Sequence, residues 1–372
     1  MAKIYFMSFQ TNMKIANQPI CLYSQQPPKK LAFKGWAAAP IKEIYVQLAS
    51  HKDYTPFLFE LNKKCKQYFK IVVQSTDNLI YDMRKLKPNK KGCIKGGTGD
   101  IWSQDNKIFF ENGDLGIFPE SNDPEIAENL AKKLKIKSQI MNLQTQGGNY
   151  YLGKKTNGEN FALVGIDALD GLTKETAADA LHVDVKNLHV ISQPSFHIDV
   201  VVRPLTYPYV LVGDPNLTAK LAREGHNEEQ CKSFNKRLFT SKENLYATTD
   251  DTVKELENQG FKAIRVPGLI AGYSGLNFMN AIVHQKPNGK LIYITNKTSI
   301  GENIGIDFGG IFEKYLKSKC PEIEKIIYID GKGFVQKALT KILGGTHCMT
   351  CEKPDFEKWN AMLKKQGSSA VG

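Results

Sequence analysis

The sequence predicts an α/β fold made of repeated β-β-α-β units stacked around an axis, and three observations carry that prediction. Two apolar runs end alike, Phe161-Ala-Leu-Val-Gly165 and Tyr209-Val-Leu-Val-Gly213, each closing a hairpin. In each copy a polar group stands where a strand emerges, just ahead of the hairpin. It is Asn149 before the first, His197 and Asp199 before the second, and Asn277 and Asn280 before a weaker third. Helical spacing of apolar residues falls between the copies. Self-similarity at a fixed period marks a repeat architecture, and units stacked this way gather their polar strand ends at one central pocket.

Taken in chain order, residues 1–66 alternate short strand-like runs, such as 3–9 and 43–48, with loops. The spacing predicts a helix over 55–69 leading into a strand over 70–74. The Lys/Gly-rich stretch 85–99 breaks the pattern and reads as a loop. A helix follows over 123–135, where Pro124 suits the first turn. The first copy has a strand at 140–143, Gln146-Gly147-Gly148-Asn149, a strand at 150–152, a turn at Asn157-Gly158 and a strand over 161–167. The second runs 188–192, His197-Ile198-Asp199, 200–203 and 209–215, and the third 263–266, 277–280 and 291–295. Helices are predicted over 251–259 and 311–318. The last unit is a strand over 326–329, a helix over 333–343 and Gly344-Gly345-Thr346-His347-Cys348, where the glycine pair allows close backbone approach. The small, polar tail from Gln366 predicts fraying.

Composition narrows the class. A chain of 372 residues, 41% hydrophobic and 24% charged, is neither disordered, collagenous nor a disulfide mini-scaffold. No window approaches about 18 uninterrupted apolar residues, so no transmembrane helix and no membrane partner are expected, and no secretory leader is read. The formal net charge is +12 and the pI about 9.1, yet only Arg84, Arg203, Arg223, Arg237 and Arg265 are arginines. Nucleic-acid readers lean on guanidinium forks, so the lysine excess reads as a solvated surface, densest over 85–95, and nucleic acid is not an expected partner. Seven widely spaced cysteines, an odd number, predict reduced thiols in the cytoplasm. Cys348 and Cys351 form the one close pair, and without a second such pair or paired histidines no zinc is expected.

The polar strand ends offer Asp100, Gln104, Asp105, Asn149, His197, Asp199, Asn277 and, after the glycine pair, Cys348. A thiol, an imidazole and two carboxylates make a set for nucleophilic catalysis. Two carboxylates on separate strand ends suit a planar guanidinium, whose nitrogens donate on both sides. Each residue alone has an ordinary structural reading: a core thiol, a capping His-x-Asp, a core tryptophan at Trp102, a turn at Gly147-Gly148. Their recurrence at equivalent places in the repeat favours the chemical one.

The set Trp102-Ser103-Gln104-Asp105, Gln146-Gly147-Gly148-Asn149, His197-Ile198-Asp199 and Gly345-Thr346-His347-Cys348 resembles the guanidine-modifying superfamily of pentein fold. That superfamily includes arginine, agmatine and peptidylarginine deiminases and amidinotransferases. Asn277-Phe-Met-Asn280 is similar to its Asn-Met-Val-Asn segment, His347-Cys348-Met349-Thr350 to its His-Cys-Gly-Thr, and Lys353-Pro354-Asp355-Phe356 with Trp359-Asn360 to its C-terminal ending. The Trp-x-Gln-Asp form looks most like peptidylarginine deiminase, whereas His197-Ile-Asp199-x-x-x-Arg203 is closer to agmatine deiminase.

This resemblance implies a five-bladed β/α propeller around a central active site. It implies one catalytic domain over 1–365, with 1–66 a divergent first unit or an N-terminal extension and 366–372 a disordered tail. The implied substrate is a guanidino group, favoured as arginine in a protein. Cys348 would attack its carbon, Asp105 and Asp199 would hold its nitrogens, and His197 would act as general acid and then general base through a thiouronium. Trp102, Gln104, Gly148, Asn149 and Arg203 would line the substrate, with Gly148 letting the backbone approach its stem. No cofactor or metal enters these steps. The calcium requirement of animal peptidylarginine deiminases is not expected here, because Asn106 and Ile108 stand where acidic residues would. Agmatine or free-arginine deiminase and amidinotransferase are the alternatives within the class. A basic pentein protein binding the ribosome or RNA, and a thiol oxidoreductase through Cys348 and Cys351, lie outside it. The oligomeric state is left open, a homodimer included.

Overall fold

Apolar four- to seven-residue runs punctuated by polar loops give short strands, and in the computed structural model these assemble into five separate sheets rather than one. The structure describes residues 38–48, 54–75, 80–87, 101–103, 105–119, 124–143, 145–229, 248–268, 275–302, 305–341 and 344–369, all within the compact unit Leu31–Gly372. Gln104, Asp100, Cys21, Cys93, Cys231 and the run 88–95 lie outside the described residues, as does the strand expected over 3–9.

Four sheets share one plan. Strands β4 (Lys107–Phe109) and β5 (Leu115–Ile117) form an antiparallel pair, helix α2 (Pro124–Leu134) crosses over, and β6 (Ser138–Ile140) returns parallel to β5. The same plan builds β7 (Tyr150–Lys154), β8 (Asn160–Gly165), α3 (Lys174–Ala180) and β9 (Leu188–Ile191). It builds β10 (Val202–Pro204), β11 (Tyr209–Asp214), helices α4 (Pro215–Arg223) and α5 (Thr249–Asn258), and β12 (Lys262–Pro267). It builds β13 (Ile282–Gln285), β14 (Leu291–Asn296), α6 (Phe308–Lys319) and β15 (Ile323–Ile329) as well. A parallel return needs a crossover of a dozen or so residues, which the helix supplies. The middle strands β8, β11 and β14 are buried almost end to end, as continuous apolar runs covered on both faces should be.

The fifth sheet joins the two ends of the described chain. Strand β1 (Ile41–Gln47) continues through α1 (Tyr54–Cys65) to the parallel strand β2 (Lys70–Gln74) and then to β3 (Ile80–Asp82). On its other side β1 pairs antiparallel with β16 (Cys351–Pro354), which follows α7 (Phe334–Lys341) and precedes α8 (Phe356–Ser369). The C-terminal strand thus supplies the hairpin partner that the N-terminal unit lacks. No helix among the described residues is long and apolar enough to cross a membrane.

Several expectations are corrected. The strand expected at 140–143 is Ser138–Ile140, and Met141 and Leu143 are buried just after it. Residues 263–266 close the second unit beside β11, and the third hairpin opens with β13 instead. The first unit does not stop at 66 but continues through β2. Helix α8 runs to Ser369, past the point where fraying was expected. The phase of the repeat therefore shifts, and the polar segments sit on the links between one sheet and the next.

Ile44 sits at the centre of the closing sheet, fully buried against Phe57, Leu58, Ile71 and Val73 in the largest apolar cluster, which also takes in Ile282, Ile294 and Met349 beside Cys348. Ile44→Ala is expected to cost about 2–5 kcal/mol, read as a lower midpoint in equilibrium urea unfolding with an unchanged slope.

Candidate active site

Each link between sheets carries part of the site: 101–106 before β4, 146–149 before β7, 193–201 between β9 and β10, 275–281 before β13, and 344–350 between α7 and β16. The last holds Cys348 in a tight turn, with Met349 N–H donating to Gly345 O at 3.2 Å and Thr350 N–H to His347 O at 2.9 Å. Both glycines are required by close approach. A side chain on Gly344 would strike the indole of Trp102, and one on Gly345 would come within 2.6–2.8 Å of the carboxamides of Asn296 and Asn280.

Three asparagines fix this turn. Asn280 Oδ1 accepts from the backbone N–H of His347 at 2.9 Å and of Cys348 at 3.2 Å. Its Nδ2 donates to Asp199 Oδ2 at 2.8 Å and to Cys348 Sγ at 2.9 Å. Asn296, at the end of β14, donates to the carbonyls of Asn277 and Asn280 and accepts from Thr346 N–H and Oγ1–H. Asn277 donates to Val200 O at 2.7 Å and accepts from Asn280 N–H at 2.9 Å.

Asp199 is the electrostatic hub. Its Oδ2 accepts from Asn280, from the Cys348 thiol at 3.2 Å and from His347 Nδ1 at 2.8 Å. Its buried Oδ1 has no hydrogen-bond partner among the described residues. A His197 ring nitrogen, an Asp199 oxygen and Cys348 Sγ lie within 4.8 Å of one another, the one such trio of potential metal-ligand side chains among the described residues. Behind the hub runs a buried chain of charge. His347 Nε2 lies 3.6 Å from Glu352 Oε2, and Arg203 donates to Glu352 Oε1 at 3.4 Å. The Tyr151 ring stacks on His347 at 5.5 Å, and the Arg203 guanidinium lies 5.1 Å from the centroid of the same ring.

This environment sets protonation. Burial, then the charges of Asp199 and Asp105, push the Cys348 thiol well above the ordinary value of 9.0. Burial pulls His197 below its usual range, more than the Asp199 charge restores, so its imidazole is neutral near pH 7. Burial and Arg203 act against charging His347, but Glu352 and Asp199 outweigh them and raise it.

The structure brings together Cys348, His197, Asp199 and Asp105, the last buried and near enough for its charge to act on the thiol. Three of the expected substrate contacts meet protein groups. Arg203 is fully buried on Glu352 and Tyr151, so it buttresses the charge chain instead of facing a substrate. The space at Gly148 is filled by the His197 imidazole, with which any side chain there would collide. Asn149 Oδ1 accepts from Gln193 Nε2 at 2.7 Å and braces the neighbouring link. Trp102, partly buried, packs over Gly344 behind the nucleophile turn. Sequence reasoning left Asn280, His347, Asn296 and Glu352 out of the site. The first two lay inside its motifs; Asn296 ends a strand as Asn149 begins one, and Glu352 follows the nucleophile by four.

With the thiol held up by burial and two carboxylates, the 240 nm absorbance difference between this chain and Cys348→Ala is expected to stay flat through pH 9. A thiolate step near neutrality would contradict this electrostatic account.

No protein-family model matches the chain, and no curated protein matches it at a significant level. Solved structures do. A C. jejuni agmatine deiminase superposes with a TM-score of 0.54 at 18% identity, over 89% of this chain and 98% of that one. A serine-for-cysteine variant of agmatine deiminase from C. jejuni with substrate bound gives 0.55 at 16% identity over the same shares. A Porphyromonas gingivalis protein provisionally assigned as an arginine deiminase gives 0.52 at 14% identity, over 88% of this chain and 99% of that one. Four β-β-α-β sheets and a fifth that joins the two ends of the described chain, together with these superpositions, give the chain the pentein fold, the fold of the agmatine and arginine deiminases.

Proposed function

We propose that the chain hydrolyses a guanidino group to a ureido group and ammonia, with Cys348 as the nucleophile. The observation that carries this reading is Asp199, whose Oδ2 is saturated by three donors on the nucleophile side while the buried Oδ1 is left to accept from a substrate. A guanidinium presents N–H groups in a plane for such an acceptor, and Asp105 would take its opposite side.

The bound cation offsets the two carboxylates that hold the thiol up, so its arrival favours the thiolate. The neutral His197 imidazole takes the thiol proton. The thiolate attacks the central carbon, and Asn280 Nδ2–H keeps the sulfur aimed. His197 returns that proton to the departing nitrogen, and ammonia leaves a thiouronium on Cys348. His197 then takes a proton from water, the hydroxide adds to the carbon, and the C–S bond breaks to release the ureido product. His197 gives its proton back to the sulfur, and the proton left on the product oxygen passes to solvent and converts the ammonia to ammonium, so that a guanidinium and water become a ureido group and ammonium. None of these steps draws on a metal or cofactor.

The same reading takes the five sheets as five blades of a ring closed by the β1–β16 pair, in one catalytic domain over 1–365. Cys65, Cys320, Cys348 and Cys351 are free thiols, which supports a cytoplasmic setting. Protein-bound arginine is favoured by the motif Trp102-Ser103-Gln104-Asp105. Agmatine is the second reading, favoured by likeness to the C. jejuni agmatine deiminases.

Ammonia release from agmatine, free arginine and an arginine-containing peptide tests the reaction and ranks the substrates. Turnover is expected to fall by about a thousandfold or more in Cys348→Ala. Peptide turnover selects protein arginine, turnover of agmatine alone selects the second reading, and no release from any of the three by folded protein overturns the hydrolase.

A further inference from the structure

Lys107 is the one lysine among the described residues that is fully buried, at 1% exposure. Burying a cation is costly unless its protons find acceptors, and here they find four. Lys107 Nζ donates to Asn106 Oδ1 at 2.7 Å, Ser103 O at 3.0 Å, Ser103 Oγ at 3.1 Å and Gln47 Oε1 at 3.3 Å. All four are neutral oxygens gathered round one point, an arrangement suited to a small hard cation. Three belong to Ser103 and Asn106, the residues on either side of the Gln104-Asp105 pair. The fourth belongs to β1, to which the same segment is tied by Asn106 Nδ2 donating to Gln47 Oε1 at 2.5 Å and Ser103 Oγ donating to Tyr45 O at 3.0 Å.

Lys107 touches neither Cys348 nor Asp199, and the reaction proposed above does not use it. Its position has a consequence all the same. Asp105 directly precedes Asn106, one of the residues whose oxygens converge on this ammonium, so the placing of its carboxylate depends on that charge. We infer that the Lys107 ammonium is an internal cation that holds Ser103 and Asn106 in place and so presents Asp105 to the guanidinium, which makes Lys107 a positioning residue for substrate binding.

The inference rests on the guanidino-hydrolase reading for its kinetic readout, and a second readout is independent of it. The ionisable groups facing Lys107 are Asp105 on its own segment and Cys351 on β16, while β1 offers the neutral Gln47. Burial, against the pull of Cys351 and Asp105, brings the ammonium down to about 8. Its charge is present below that pH and is lost as the pH rises through it.

The experiment compares the full-length chain with Lys107→Met, Lys107→Ala and Gln47→Met. Lys107→Met is expected to raise KM by about tenfold or more with kcat within about threefold, the size of losing hydrogen bonds from a charged group. In wild type KM should climb above about pH 8, and Lys107→Met should lack that limb. Methylammonium should lower the KM of Lys107→Ala. An unchanged KM in Lys107→Met overturns the inference, whatever its thermal stability. If Lys107→Met does not fold, Gln47→Met decides in its place: a KM raised about threefold supports the inference and an unchanged KM overturns it. If wild type turns over no guanidino compound, the hydrolase reading falls, and amide hydrogen exchange of peptides covering 101–109 then decides on Lys107. Faster exchange there in the variant, with the other sheets unchanged, supports it; equal protection overturns it.

Discussion

The Asn280 carboxamide touches Asp199, the Cys348 sulfur and the backbone N–H groups of His347 and Cys348, and the site depends on that one group. Its four contacts tie its own link, 275–281, to two others, 193–201 and 344–350, none of which has regular structure long enough to position a side chain alone. Buried carboxamides hold geometry only when every polar atom is used. Asn296 and Asn277 meet that requirement by taking the backbone of the Asn280 segment and clamping it to the strand end of β14. The Cys348 turn is therefore hydrogen-bonded to the end of β14 through Asn296 and Asn280. Gly345 follows from the same constraint, since the carboxamides occupy the volume a side chain would need.

Electrostatics makes the second demand. The carboxyl groups of Asp199 and Asp105 act on the thiol, and His347, Glu352 and Arg203 form a buried chain of charge behind Asp199. On the proposed reading, a guanidinium offsets the two carboxylates that, with burial, hold the thiol up, and so favours the thiolate, whereas an anionic compound would meet both carboxylates. The +12 surface charge opposes a cation only at long range, where salt screens it over about 8 Å, whereas the carboxylates act inside a low-dielectric pocket.

Sequence order revealed the parts of this arrangement that are local. Polar residues at strand ends, the glycine pair ahead of Cys348 and the continuous apolar runs of β8, β11 and β14 are all visible within a few residues of chain, and each fell where it was expected. What sequence order hid is set by contacts across the fold. Gly148 was read as room for a substrate, but the imidazole that fills the room comes from residue 197. Arg203 was read as a substrate contact because it follows Asp199 by four, but its partner Glu352 comes from the far end of the chain. Strand β13 was missed because Ile282-Val-His-Gln285 is too short to show a period of its own, and its pairing with β14 is what makes it a strand. The role of β16 was hidden for the same reason, since a four-residue strand with two half-exposed positions has meaning only beside β1.

The second cysteine shows how strand geometry divides two thiols three residues apart. Cys348 belongs to the turn and faces Asp199 and Asn280. Cys351 opens β16, where pairing with Tyr45 directs its thiol to Lys107 O at 3.4 Å and into the apolar cluster of Tyr45, Val72 and Phe109. Burial pushes that thiol up to about 12, far from the thiolate that disulfide exchange requires. A disulfide to Cys348 would have to draw both sulfurs out of their hydrogen bonds and break the β1–β16 pairing that joins the two ends of the chain. Cys351 is therefore a packing residue of the closing sheet, and the Cys-x-x-Cys spacing arises because the nucleophile turn is followed immediately by a strand.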